Sequence, residues 1–217
     1  VAFMVTMVPG LIAAKVGNAL MLPLLAGVRD DTRRFNDRFL VMIEVTAIAA
    51  GAYLAAFVLL GGAIVEIAFG RNYAGLGPIV AWLALMWSMR MLQATLGIAL
   101  MAHGTTRPFL VAGLIRAIGL PLAFAALHMG LGLEGAAAAG ASAELMSLLY
   151  VGWRLQSFHT TASGLRLGTA ALLRTLPVVP AGLAALALAQ LPSVADSLTS
   201  EMVATGGNVL ARFLDRE

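Results

Sequence analysis

Arg90 is the only charged residue in the apolar run Ile79–Met101, and it stands eleven residues from either end. At about 1.5 Å of rise per helical residue it is roughly 16 Å from both edges of that run. A bilayer's hydrocarbon core is about 30 Å thick, so the guanidinium starts near the midplane. A charge at that depth costs at least about 2.5 kcal/mol on the most lenient scale, and such residues usually face a cavity or a partner. A guanidinium can fork onto a carboxylate or a phosphate. Three readings are open to Arg90: it faces a cavity, it bonds the carbonyls of a broken helix, or the span is shifted and places it near an interface. Gln93 follows at i+3, shares roughly its face, and would extend a polar stripe.

Other charged residues also lie inside apolar runs; Glu44, close to the start of the second span, reads as interfacial rather than as a proton carrier. Arg116 and Glu144 each stand seven residues from an end of consecutive spans, at matching depth, and an Arg116–Glu144 ion pair is predicted. The alternative for Arg116 is to snorkel alone to the headgroups. Glu144 is the candidate for coupling transport to an ion. Lys15, near Gly17 and Asn18 and between Pro9 and Pro23, is a candidate anion ligand or an interfacial lysine, on a helix the prolines are expected to break. Substrate-binding candidates are thus Arg90, Arg116, Lys15 and Gln93. His103, His128 and His159 fall in three different loops, so no shared metal site is expected, and no cofactor is implied.

The elements that must hold these residues follow from composition. Sixty per cent of the residues are hydrophobic and only 12% are charged, about half the charged share of a soluble domain. The apolar runs are continuous rather than alternating. The chain therefore reads as an all-α, polytopic membrane protein and not a barrel. The arginines are scattered between apolar runs, which argues against nucleic acid as a partner. There are no cysteines. The signatures HExxH, GxSxG and Walker A are missing, and no enzymatic activity is expected.

Six spans are expected, at roughly 1–25, 39–65, 79–101, 109–127, 133–151 and 170–191. Residues 1–191 would form one bundle, and 192–217 a polar tail or a weak further helix. The first, third and fifth loops hold eight arginines and the second and fourth hold one, so the odd loops are expected to be cytoplasmic. The run Gly135–Gly140 is nearly free of side-chain volume, and the fifth span is therefore expected in the bundle interior. Val1 opens inside an apolar run without a charged leader, so the chain is expected to be part of a longer protein.

The order of features then resembles the polysaccharide (O-antigen) flippases of the multidrug/oligosaccharidyl-lipid/polysaccharide exporter superfamily. The carriers are Phe69, Gly70 and Tyr73 in IVEIAFGRNYAGLG, Gly104 and Arg107 in AHGTTRPF, and Gly132, Gly135, Ala136 and Ala137 in GLGLEGAAAAG. Pro23 before the RDDTRRF segment fits the same pattern. The likeness runs from about residue 10 to about 160. It implies the second bundle of a two-bundle transporter in a bacterial inner membrane, with the first bundle as its missing partner. The implied cargo is an undecaprenyl-diphosphate-linked oligosaccharide, an anionic lipid moved by alternating access. A multidrug or lipid II exporter of the same superfamily is the first alternative, and a membrane-embedded transferase the second.

Overall fold

The computed structural model describes residues 2–28, 30–73 and 75–157, with a few further positions between 177 and 184. Most of the expected sixth span, the tail after 191 and His159 lie outside the described residues. Within them the chain is helical: α1 Ala2–Ala26, α2 Thr32–Phe69, a 3-10 turn at Arg71–Tyr73, α3 Gly77–Ala102, α4 Arg107–Ala117, α5 Gly119–His128 and α6 Gly132–Ser157. Four helical segments are long and apolar enough to cross a membrane: α1, α2, α3, and α4 with α5 taken as one. These mark a membrane protein. The fifth expected span is a helix, α6, but its alanines, glycines and Glu144 leave it less apolar than those four.

The helix ends follow from local chemistry. Asp31 caps α2, its carboxylate accepting from the Arg34 backbone N–H at 3.1 Å. At 38 residues, α2 would be about 57 Å long, so its first turns extend well past a hydrocarbon core. Gly70 ends α2 with φ of 90°, a left-handed value that favours glycine, and the aromatic turn Phe69–Tyr73 follows. Pro78 sits in the first turn of α3, where its missing N–H costs nothing.

Prolines behave differently in α1 and α4–α5. α1 runs unbroken through Pro9 and Pro23, contrary to the expected break. A membrane helix tolerates such losses where neighbours or local adjustment satisfy the freed carbonyls. The fourth span, by contrast, is interrupted at Ile118, between α4 and α5. Pro121 has no N–H to give the Ala117 carbonyl, and the Ile118 N–H is shared between Leu114 and Ile115.

The interior helix is α3, not α6. Most α3 residues from Val80 to Ala102 are buried, whereas α6 leaves Leu133, Met146, Leu149 and Trp153 exposed. α1, α2 and α6 all pack on α3, and α6 also packs on α4 and α5. The registers are readable from single contacts. Thr46 meets Thr95 and Gly61 meets Val80, so α2 and α3 are antiparallel. Ser147 meets Ala112 and Gly140 meets Gly119, so α4–α5 and α6 are antiparallel as well. The small residues of α6 do permit close packing, with Gly119 of α5 set against Ala143 and Gly140.

Gly97 of α3 faces the Phe109 ring of α4, where a Cβ would lie 2.4 Å from Phe109 Cζ. Gly97→Ala is expected to destabilise by about 1–3 kcal/mol through overpacking. Gly113→Ala, with nothing within 4 Å of the new Cβ, is expected to be neutral or slightly stabilising. Thermal midpoints of the two purified variants in the same detergent check the difference.

Candidate functional site

Two polar rungs join α3 to α6 at the middle of α3. Arg90 donates to Glu144 Oε1 through both Nε, at 3.0 Å, and Nη2. One turn on, Gln93 Nε2 donates to Ser147 Oγ at 2.7 Å, and that hydroxyl donates to the Ala112 carbonyl of α4 at 3.1 Å. Both rungs link residues 54 apart in sequence, so α3 and α6 run parallel, as two spans separated by one return crossing must. A third polar contact, between the Thr46 and Thr95 hydroxyls at 3.0 Å, ties α3 to α2 on another face.

The predicted Arg116–Glu144 pair is not formed. The depth match is correct: the 112–147 and 119–140 register places Arg116 opposite Ala143. Helical rotation decides the outcome. Ala143 faces α5, where it lies against Gly119. Glu144, turned about 100° further, faces α3 and takes Arg90 instead. Arg116 makes no ion pair among the described residues, and its Nε is buried without a hydrogen-bond partner. Lys15 is not brought to the site either. Gly10 of α1 is the residue that meets Trp87, and Lys15, five residues on, is turned about 140° from it and is exposed. Of the five candidates, then, Arg90, Gln93 and Glu144 form one cluster.

Arg90 lies on an open stripe. Of the partly exposed α3 residues, Ile79, Leu83, Met86, Arg90, Ala94 and Met101 recur at helical spacing and share one face, while Gly77, Pro78 and Trp82 lie off it. Trp87 and Gln93 flank Arg90 about 60° to either side. Trp87 leans on α1, against Gly10 and Phe3. Gln93 turns to α6. The stripe therefore lies between the α1 and α6 contacts of α3 and is apolar except for one guanidinium. Met86 and the half-exposed run Gly135–Gly140 line its α6 side.

Arg90 is held but not used up. Glu144 grips it from one edge, and the Trp87 ring lies 4.8 Å from its Cζ. Its remaining N–H groups make no hydrogen bond among the described residues, and 34% of the side chain is exposed, against 3% for Glu144. A guanidinium has five donors, and at least two here are free for a further acceptor. Glu144 Oε2 and Gln93 Oε1 are also buried without partners. The sequence located Arg90, Gln93 and Glu144. It missed Trp87 as the ring under the guanidinium and Ser147 as the relay to α4. Spacing could have found Ser147, since 144/147 repeats the 90/93 interval.

Removing one partner of a fully buried ion pair costs about 3–5 kcal/mol. With Arg90 partly exposed, Glu144→Ala is expected to cost on the order of 2–3 kcal/mol, by leaving the guanidinium unpaired. Arg90→Met with Glu144→Met should recover most of that loss. Unfolding in mixed detergent micelles measures both, and additive single losses would mean the rung is not coupled.

No family model matches the chain, no curated protein matches it, and no solved structure matches it.

Proposed function

We propose that this chain is a helical bundle of a membrane transporter in a bacterial inner membrane. In this reading it moves an anionic, undecaprenyl-diphosphate-linked oligosaccharide between leaflets by alternating access. It acts as a carrier rather than an enzyme, and another bundle supplies the opposing wall.

The observation that supports this reading best is the open stripe of α3. A long apolar chain needs an apolar track, and a diphosphate needs a cation with unused donors. The stripe offers both, with Arg90 as its only charged residue and a third of that side chain uncovered. Glu144 and Trp87 fix the guanidinium's orientation, so little freedom is lost when an acceptor arrives. A cavity for cationic drugs would call for the opposite arrangement, an uncovered carboxylate and a covered cation, which disfavours a multidrug exporter. Short loops among the described residues and a site deep in the helices disfavour a transferase.

In cells that depend on the protein, Arg90→Ala is expected to reduce surface glycan at least about tenfold, the equivalent of about 1.4 kcal/mol. Arg90→Lys should retain part of the activity, because it keeps the charge and loses the fork. Lys15→Ala should behave as the wild type. Glycan staining at matched protein levels gives the readout. Normal export by Arg90→Ala would remove the cation from the mechanism and the anionic cargo with it.

A further inference from the structure

The neutrality of the Arg90–Glu144 pair conflicts with an anionic cargo, and the geometry points to a resolution. With Glu144 ionised, the two side chains sum to zero charge. An arriving diphosphate would then meet a cation and, one hydrogen bond behind it, a carboxylate. From this we infer that the site takes up two species together: the anionic headgroup on the free edge of Arg90, and a proton on Oε2 of Glu144. The inference rests on the transport reading above.

The local structure favours this arrangement. Glu144 uses only Oε1 to hold Arg90, so Oε2 can accept a proton without breaking the rung. Oε2 is buried and has no hydrogen-bond partner among the described residues, so no fixed donor already holds that oxygen. Once Oε2 is protonated, the carboxyl keeps accepting from Arg90 through Oε1, and the pair carries one net positive charge. No bond between heavy atoms is made or broken. The proton comes from solvent and returns there when cargo leaves.

Among the described residues, the charged surroundings of Glu144 are sparse. From α3 it meets Arg90, the only charged residue of that helix. From α4, Arg116 is half-buried at neighbouring depth, and Arg107 is exposed at the helix start. From α5, His128 is exposed at the far end. On α6 itself, Glu134 is exposed near one end, with Tyr150 and Arg154 toward the other. No second carboxylate shares the depth of Glu144 in α3, α4, α5 or α6. Linkage then fixes the sign. If a proton on Glu144 strengthens anion binding, anion binding draws a proton by the same factor, and affinity rises as pH falls.

The test uses the full chain in phosphatidylcholine nanodiscs with geranylgeranyl diphosphate as probe. Between about pH 8 and about pH 6, wild-type affinity should rise at least about fivefold more than that of Glu144→Gln, the low end of ordinary coupling. The glutamine variant should bind tightly at both values, and its residual response reports titration of the diphosphate itself. Proton uptake on ligand addition, read with an indicator dye in weakly buffered wild-type samples, provides a check that needs no variant. A wild type that binds with the same pH response as Glu144→Gln and takes up no extra proton overturns the inference and leaves the anionic cargo standing. Absence of binding by both proteins at every pH overturns the cargo reading and the inference with it. Inorganic diphosphate is the comparison ligand. If it binds as tightly as the lipid, with the same excess response, the proton linkage holds and the lipid cargo does not.

Discussion

Polar side chains inside hydrocarbon have no water to fall back on, and that constraint organises this bundle. Helix α3 is the common partner of α1, α2 and α6. Each attachment falls where a polar or bulky side chain needs company. Thr95 finds Thr46 on α2, Arg90 and Gln93 find Glu144 and Ser147 on α6, and Trp87 packs on Gly10 of α1. Apolar contact alone discriminates weakly among helices in a membrane, because lipid tails are as apolar as leucine. Hydrogen bonds at fixed heights select one register. Two of them, a turn apart, select one rotation of α6 as well.

The Arg90–Glu144 rung is asymmetric in a way that matters. Its carboxylate is covered and its guanidinium is partly open. A structural ion pair would gain by covering both, since every exposed donor is one the protein has not satisfied. Gripping the cation from behind leaves it aimed along the α3 stripe. The same grip also limits what the cation can bind, because the partner's negative charge stays close. Stability and ligand recognition thus draw on one pair of side chains.

Much of this was legible in the residues. The bounds of α3 are set by Gly77-Pro78 at one end and the Ala102–Gly104 turn at the other, and the length and flanks of the apolar run 79–101 located it to within a few residues. Depth along each span was legible too, because rise per residue is nearly constant. Azimuth was not. Arg116 and Glu144 were matched in height, yet one residue of rotation sends Glu144 to α3. Fixing that angle requires knowing that Ala143 is already committed to Gly119, a contact between residues 24 apart. The same gap explains why α6, rich in small residues, was expected inside: small residues report close packing with a neighbour, here α5, not a central position. Pro9 and Pro23 misled for another reason, since a proline's effect depends on whether its neighbours absorb the lost hydrogen bond.

Helix α1 is fastened to α2 at both ends by hydrogen bonds to its backbone. Arg38 reaches the Leu24 carbonyl at 3.1 Å, and the Tyr53 hydroxyl reaches the Thr6 carbonyl at 2.7 Å. Every residue type carries a carbonyl, so neither fastening depends on which side chains α1 bears. Its outward row, Met4, Val8, Ile12, Val16 and Leu20, is therefore released from any duty to hold the helix in place. Among descendants of this sequence, that row should drift freely within the apolar alphabet, while Arg38 and Tyr53 should not.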